Sequence, residues 1–402
     1  MTKHRGIEMT IKNDKPRDMD TTLIHAGRDP QRFEGAVNTP IFHASTILFP
    51  DAQSIRTESH PSGNEYGRNG TSTTRALEEA VSALEGGERT VTYPSGAGAV
   101  AGAFLTVLKA GDHFLIADNV YGPSRRFCNQ VLSSLGVDCE FYDPALGGDI
   151  VTLFRPETRA LFMESPGTAT FEVCDVPAMC QAAREKGIIT ILDNTWSAGL
   201  YFRAFEHGVD MTVHAGTKYV GGHADVMLGM VTTSEKLYPK LKQTAKNLGA
   251  CAGPEVCYLA LRGLRTLSLR LPRHFDTGLK LAQWLDTREE VETVLHPALP
   301  SCPGHEIWKR DFTGASGLFG VVLKDYSTAA VDALLDNTPL FGLGYSWGGY
   351  ESLIIPTDLG KLRTATTWHH KTPVIRIHAG LESYDDLRAD LEVGLDCLRS
   401  TN

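Results

Sequence analysis

The sequence predicts an α/β fold: a large domain on a mostly parallel sheet, followed by a smaller α/β domain. Three observations carry this expectation. Residues 159–194 hold a strand, a capped helix and a second strand in one short unit, which implies parallel pairing across the connecting helix. The alternation of apolar runs and helical segments containing this unit begins after Gly86-Gly87. A chain of 402 residues also exceeds what one typical core supports, so two domains of ordinary size are expected, with an added arm.

The first twenty residues mix Lys3, Arg5, Lys12, Lys15 and Arg17 with Glu8, Asp14, Asp18 and Asp20 and contain no apolar stretch. They read as a polar, mobile segment rather than a secretory signal. Residues 21–72 combine turns with short apolar stretches such as Ile47-Leu48-Phe49 and lack a long periodic helix, so an extended arm is expected over 1–72. From Thr74, Leu77, Ala80, Val81 and Leu84 fall on one helical stripe that Gly86-Gly87 stops. Tyr93-Pro94-Ser95-Gly96-Ala97-Gly98-Ala99 then leads into an apolar helix ending at Lys109-Ala110-Gly111. In the parallel unit, 159–164 and 188–193 are the strands, Asp175 caps the helix, Pro177 lies in its first turn and Gly187 closes it. These elements make up a domain over 73–255. Beyond it, a helical stretch from Glu255 to Leu271, stopped by Pro272, leads into a second domain over 256–402. Strands are expected there around 317–323, 343–347 and 374–379, with helices near 328–336 and 383–399.

Composition narrows the function. A formal net charge of −9, from 39 basic and 48 acidic residues, argues against nucleic-acid binding by charge. No apolar run approaches the length of a membrane span. The eight cysteines include no C-x-x-C pair, so neither a metal site nor a disulfide framework is expected; reduced thiols in a cytoplasmic protein are. A small molecule is the expected partner.

In open α/β sheets ligands gather beyond the carboxyl ends of the strands. Tyr121, Glu164 and Asp193 stand at such ends. Asp193 closes Ile188-Ile189-Thr190-Ile191-Leu192, and Lys218 follows in Ala215-Gly216-Thr217-Lys218-Tyr219. Either residue alone is an ordinary loop or capping residue. Together they suggest pyridoxal phosphate (PLP): a lysine amine condenses with the cofactor aldehyde, and a buried carboxylate keeps the pyridine nitrogen protonated. The small residues at Gly96-Ala97-Gly98 before a helix can admit a phosphate to backbone N–H groups. The same segment also reads as close helix packing, or as a dinucleotide site of a dehydrogenase. The spacing of Gly96, Gly98 and Gly102 leaves one residue too many for the dinucleotide fingerprint. Tyr121 can stack its ring on a pyridine. Arg376, opposite two isoleucines in Val374-Ile375-Arg376-Ile377-His378, can hold a carboxylate bidentately or serve a structural ion pair. No histidine is assigned a catalytic role.

Six segments in order resemble the Cys/Met-metabolism family of PLP enzymes, across about Thr22 to Leu398. They are Tyr66-Gly67-Arg68-Asn69-Gly70-Thr71, Glu164-Ser165-Pro166-Gly167, Asp193-Asn194-Thr195-Trp196-Ser197-Ala198-Gly199, Thr217-Lys218-Tyr219-Val220-Gly221-Gly222-His223, Tyr345-Ser346-Trp347-Gly348-Gly349-Tyr350-Glu351-Ser352 and Arg376-Ile377-His378-Ala379-Gly380-Leu381-Glu382. The resemblance implies an aspartate-aminotransferase-like fold (fold type I), with Lys218, Tyr121 and Asp193 as catalytic residues. Lys218 would be the Schiff-base lysine, Asp193 the pyridine-nitrogen partner and Tyr121 the stacking ring. Gly96, Ala97 and Thr217 would bind phosphate, joined by Tyr66 and Arg68 from a neighbouring subunit of a homotetramer built from two dimers. Ser346 and Arg376 would hold the substrate carboxylate, with Trp347 lining the pocket.

The chain departs from the family pattern at Ala215 and Ala224, where serines are common. It departs again at Asn69 and Arg126, which stand where the family's bacterial β-lyases carry an arginine and an acid facing the far end of the substrate. Ser346-Trp347-Gly348-Gly349-Tyr350 is most similar to those β-lyases. The implied reaction is β-elimination from cystathionine to homocysteine, pyruvate and ammonia, with cystine or other cysteine S-conjugates as further substrates. Its alternatives are γ-elimination or γ-replacement within the family and, more remotely, a silent PLP-fold protein.

Overall fold

The computed structural model describes residues 17–401 except Glu58, Ser62 and Lys361. Most of the polar segment expected at the start, 1–16, lies outside the described residues. The stripe of Leu77, Ala80, Val81 and Leu84 forms the buried face of the helix Ser72–Glu85. Gly86 ends that helix in the left-handed region at φ 79°, a conformation that costs a residue without Cβ little.

Seven strands make the large sheet: β1 (Arg89–Tyr93), β2 (His113–Ala117), β3 (Asp138–Tyr142), β4 (Thr158–Glu164), β5 (Ile189–Asp193), β6 (Met211–His214) and β7 (Gly229–Thr233). Their order is β1-β7-β6-β5-β4-β2-β3. β7 runs antiparallel to both neighbours and the other pairings are parallel, so the sheet is mostly parallel as predicted. Between β4 and β5 lies the helix Val176–Glu185, whose Asp175 cap accepts from the Ala178 N–H at 3.1 Å. Strands that share a direction end on one edge of the sheet, so the turns after Ala117, Glu164, Asp193 and His214 meet there. The helix after Ser95 runs Gly96–Val107, slightly shorter than expected.

A second sheet holds β8 (Val291–Leu295), β9 (Leu318–Leu323), β10 (Leu353–Thr357) and β11 (Val374–His378) in the order β10-β11-β9-β8, antiparallel throughout. Its core residues include Phe319, Val321, Ile375 and Ile377, packed against the helices Thr328–Asp336 and Tyr384–Thr401. The Trp196 indole N–H donates to the Leu318 carbonyl at 3.0 Å and ties the two sheets together.

Two expectations are corrected here. The segment 343–347 is a loop rather than a strand. Ser346 stands at φ 76°, outside the extended region, and the strand next to β11 is Leu353–Thr357. Pro272 does not stop a helix. It sits inside Leu267–Leu285, and the break falls earlier, after Leu264. Pro272 gives up one N–H bond near the helix start, while Leu267, Leu271, His274, Leu281 and Leu285 bury the flank that keeps the helix continuous. No described helix is long and apolar enough to cross a membrane.

Candidate active site

Parallel register brings two carboxyl groups side by side at the edge of the large sheet, since Glu164 of β4 pairs with Asp193 of β5. Asp193 Oδ1 accepts from the Thr195 N–H at 3.0 Å and from the Thr195 hydroxyl at 2.5 Å. The same hydroxyl oxygen accepts the Ala215 N–H at 3.0 Å, so Thr195 couples Asp193 to the turn that carries Lys218. Burial pushes the Asp193 carboxyl up, against those hydrogen bonds. Glu164 is pushed further, to about 8, by burial and the neighbouring Asp193. It accepts from the Tyr121 N–H at 2.7 Å and from the Thr168 hydroxyl.

Lys218 ends a tight turn in which its own N–H donates to the Ala215 carbonyl at 3.0 Å. Its Nζ donates to Ser346 Oγ at 2.7 Å and lies 5.2 Å from the centre of the Trp347 ring. Burial and the Arg376 guanidinium hold this amine down to about 8, opposed by Asp193. Arg376, itself held down to about 10 by burial, donates from Nη2 to the Ser346 carbonyl at 2.9 Å. Four predicted residues, Lys218, Ser346, Trp347 and Arg376, thus converge although they come from well-separated parts of the chain. Tyr121 is 45% exposed, so its ring has an open face, and the charges of Arg126, Glu164, Asp193 and Arg376 all act on its hydroxyl.

At the start of the helix Gly96–Val107, Ser95 Oγ accepts the Gly98 N–H at 3.1 Å. The Gly96 and Ala97 N–H groups belong to the first turn, where no helical carbonyl reaches them. A Cβ on Gly96 would lie 2.8 Å from the Ala215 methyl, so this end of the helix sits against the Lys218 turn. The Thr217 hydroxyl accepts from the Leu228 N–H at 3.0 Å and faces the Leu228 carbonyl at 3.3 Å, bracing the turn from behind.

Tyr66, Arg68 and Asn69 are not part of this cluster. Arg68 lies over the Tyr66 ring at 5.8 Å and donates to the Lys246 carbonyl at 2.9 Å. Asn69 donates to Glu65 at 3.4 Å. Among the described residues none of the three shares a hydrogen bond, ion pair or ring contact with Lys218, Asp193, Tyr121 or Arg376.

Sequence reasoning missed the supports. Thr195 could have been found from its place two residues after an acid that ends a strand, a common side-chain-to-backbone turn. The buried Glu85, His214 and Asn194 had no local signal. Glu85 accepts from His214 Nδ1 at 2.8 Å and from the Asn194 amide at 2.9 Å, joining a helix end to the turn after β5 and the last residue of β6.

The donor set suits PLP. An amine held well below the usual lysine range can meet an aldehyde, a buried acid can meet a pyridinium, unsatisfied N–H groups at a helix start can meet a phosphate, and a guanidinium can meet an α-carboxylate. The described residues contain no cluster able to hold a metal ion.

The profile of the Cys/Met metabolism PLP-dependent enzyme family matches residues 20–396. The cystathionine beta-lyase MetC of Escherichia coli is 42% identical over 390 residues, covering 94% of this chain and 98% of that protein. The cystathionine beta-lyase of Haemophilus influenzae is 40% identical over 391 residues, with coverage of 94% and 98%. The crystal structure of metB from Corynebacterium glutamicum superposes with a TM-score of 0.89 at 30% identity, covering 95% of this chain and 98% of that one.

Proposed function

Because the chain belongs to the Cys/Met metabolism family of PLP-dependent enzymes, we propose that it is a carbon–sulfur lyase acting on cystathionine by β-elimination. The products are homocysteine, pyruvate and ammonia, and cystine and other cysteine S-conjugates are further substrates of the same chemistry. The observation that carries this reading is the convergence of Lys218, Ser346 and Arg376, which sets a base beside a carboxylate clamp. The two cystathionine beta-lyases at 40–42% identity support the choice of substrate.

Lys218 would anchor the cofactor aldehyde, with Asp193 at the pyridine nitrogen and Tyr121 against the ring. Gly96, Ala97 and Thr217 would hold the phosphate, with Tyr66 and Arg68 supplied by a second copy of the chain. When bound, PLP supplies an electron sink that stabilises negative charge at the substrate Cα. Arg376 and Ser346 orient the α-carboxylate, Trp347 walls the pocket, Arg126 faces the far end of the substrate, and Asn69 would reach that end from the second copy of the chain, together with Tyr66 and Arg68. Once the substrate amine has displaced it from the aldehyde, Lys218 Nζ would be free to take the Cα proton. An amine held down to about 8 is neutral in roughly a tenth of molecules at pH 7, against well under a thousandth for an ordinary lysine. The electron pair left at Cα then expels the thiolate from Cβ, and hydrolysis of the remaining three-carbon fragment gives pyruvate and ammonia.

The active assembly is a homotetramer of two dimers. The arm supports this reading, since Val37, Leu48 and Ile55 are 61%, 83% and 58% exposed and Tyr66 and Arg68 serve nothing in their own site. A cytoplasmic setting is supported by eight unpaired cysteines. Identification of the 2-oxo acid released from cystathionine by the PLP-loaded protein tests the reaction. Pyruvate is expected; 2-oxobutanoate would place the break at Cγ and overturn β-elimination.

A further inference from the structure

Arg376 and His378 stand two residues apart on β11 and so point to the same face of the second sheet. Both meet the loop that follows Tyr345, Arg376 at the Ser346 carbonyl and His378 at Gly348. His378 is buried, with its Nε2 3.1 Å from the Gly348 nitrogen and 3.2 Å from the Gly349 carbonyl. The Gly348 N–H is directed at Nε2, which accepts it when the ring proton sits on Nδ1; a proton on Nε2 would instead be donated to the Gly349 carbonyl, so either tautomer ties the ring to this turn. Nδ1 is buried without a hydrogen-bond partner among the described residues. Burial and the nearby His274 hold the imidazole well below its usual range, so it stays neutral and keeps its acceptor lone pair. Tyr219 and His274 pack around it, with ring centres 5.8 and 5.2 Å away.

The loop needs holding. Ser346 lies at φ 76°, a left-handed conformation that strains a residue with a side chain. Gly348 lies at φ 86° and is pressed against the Lys218 turn: a Cβ there would come within 2.8 Å of Tyr219 N and 2.9 Å of the Lys218 carbonyl carbon. Two of the bonds that fix Ser346 come from Lys218 Nζ and Arg376 Nη2. Those donors are the groups assigned above to the cofactor aldehyde and the substrate carboxylate, so the Lys218 bond is given up when Nζ engages the aldehyde, and Arg376 has to share its guanidinium with the substrate. The Gly348–His378 bond is under no such demand.

We propose that His378 is a positioning residue: by accepting the Gly348 N–H, it keeps the strained Ser346 turn and Trp347 at the carboxylate subsite while Lys218 is engaged at the cofactor and Arg376 is shared with the substrate. This inference rests on the roles given above to Lys218, Ser346 and Arg376, and not on which sulfur amino acid is the substrate.

The test compares His378→Leu, which removes the acceptor, with His378→Gln, which restores one, in the PLP-loaded full chain. Hydrogen exchange of the peptide spanning 344–352 is followed without substrate, and KM and kcat are measured with whichever sulfur amino acid proves active. His378→Leu is expected to speed exchange of that peptide and raise KM about tenfold with a smaller change in kcat, and His378→Gln to recover both to within about threefold of the parent. Adding Ser346→Ala to His378→Leu should cost less than adding it to the parent, because the Ser346 hydroxyl counts only while the turn that carries it is held in place. Equal behaviour of the Leu and Gln variants, or full additivity, would overturn the proposal. If His378→Leu does not fold, the parent decides: a protected 344–352 peptide supports the proposal and rapid exchange of the Gly348 amide refutes it. Failure to cleave cystathionine, with that protection intact, would count against the substrate and not against His378.

Discussion

Glu164 and Asp193 end neighbouring parallel strands in register, and Glu164 is the one held protonated to about 8, by burial and then by the charge of its neighbour. The raised value means that the folded chain keeps a proton that the unfolded chain releases above its ordinary value of 4.5. Stability linked to this group is therefore full below about pH 4.5, falls as the pH rises toward 8, and levels off beyond. Glu164→Gln fixes the neutral form at every pH. It is expected to gain about 1 kcal/mol or more over the parent at pH 8.5 and to lose most of that gain by pH 5, as read by urea unfolding of the cofactor-free chain. Parallel pH profiles for the two proteins would contradict the assignment.

Lys218 is expected to titrate as an amine near 8 in the cofactor-free chain. Competitive labelling with an amine-directed reagent across pH 6–11, read by mass spectrometry of the Lys218 peptide, measures this midpoint. Arg376→Met should move the midpoint upward, since it removes a cation that disfavours the charged amine, and Asp193→Asn should move it downward. An unmoved midpoint near 10 in all three proteins would show that the site does not tune this amine.

The Glu85–His214 pair is buried, with both side chains at 1% exposure or less. Removing one partner of such a pair leaves the other without compensation, which costs about 3–5 kcal/mol. Glu85→Leu is therefore expected to lose about 3 kcal/mol or more in urea unfolding. Adding His214→Phe should recover part of that loss, because the orphaned partner is removed as well. Additive losses would mean that the two side chains act separately.

Arg376→Leu should lower kcat/KM about a hundredfold or more, mainly through KM, as expected when a charge-assisted carboxylate contact is removed. Steady-state kinetics of the PLP-loaded protein check this. A loss confined to kcat would point to Lys218 tuning rather than to carboxylate binding.

Local patterns made the large sheet legible. The 159–194 unit announced its pairing through an Asp cap, a Pro in the first turn and a closing Gly, and β4 and β5 pair in parallel as those signals require. Asp193, Lys218 and Arg376 were readable because each interrupts or ends an apolar run with a charge. The loop around Ser346 was not. Its sequence, Leu343 to Trp347, carries the residues of a strand, and only packing against the Lys218 turn forces Ser346 and Gly348 into the left-handed region. Pro272 misled for a related reason, since a helix buried along one flank tolerates a proline near its start. Glu85, His214 and Asn194 come from separate elements, and a network closed by tertiary packing leaves no spacing to read.

Lys218 is expected to be the residue that engages the cofactor. Borohydride reduction of the PLP-loaded protein, followed by proteolysis and mass spectrometry, tests it directly. The pyridoxyl phosphate label is expected on the peptide containing Lys218, with no such label in Lys218→Ala. A label on another lysine, or equal labelling of the variant, would contradict it.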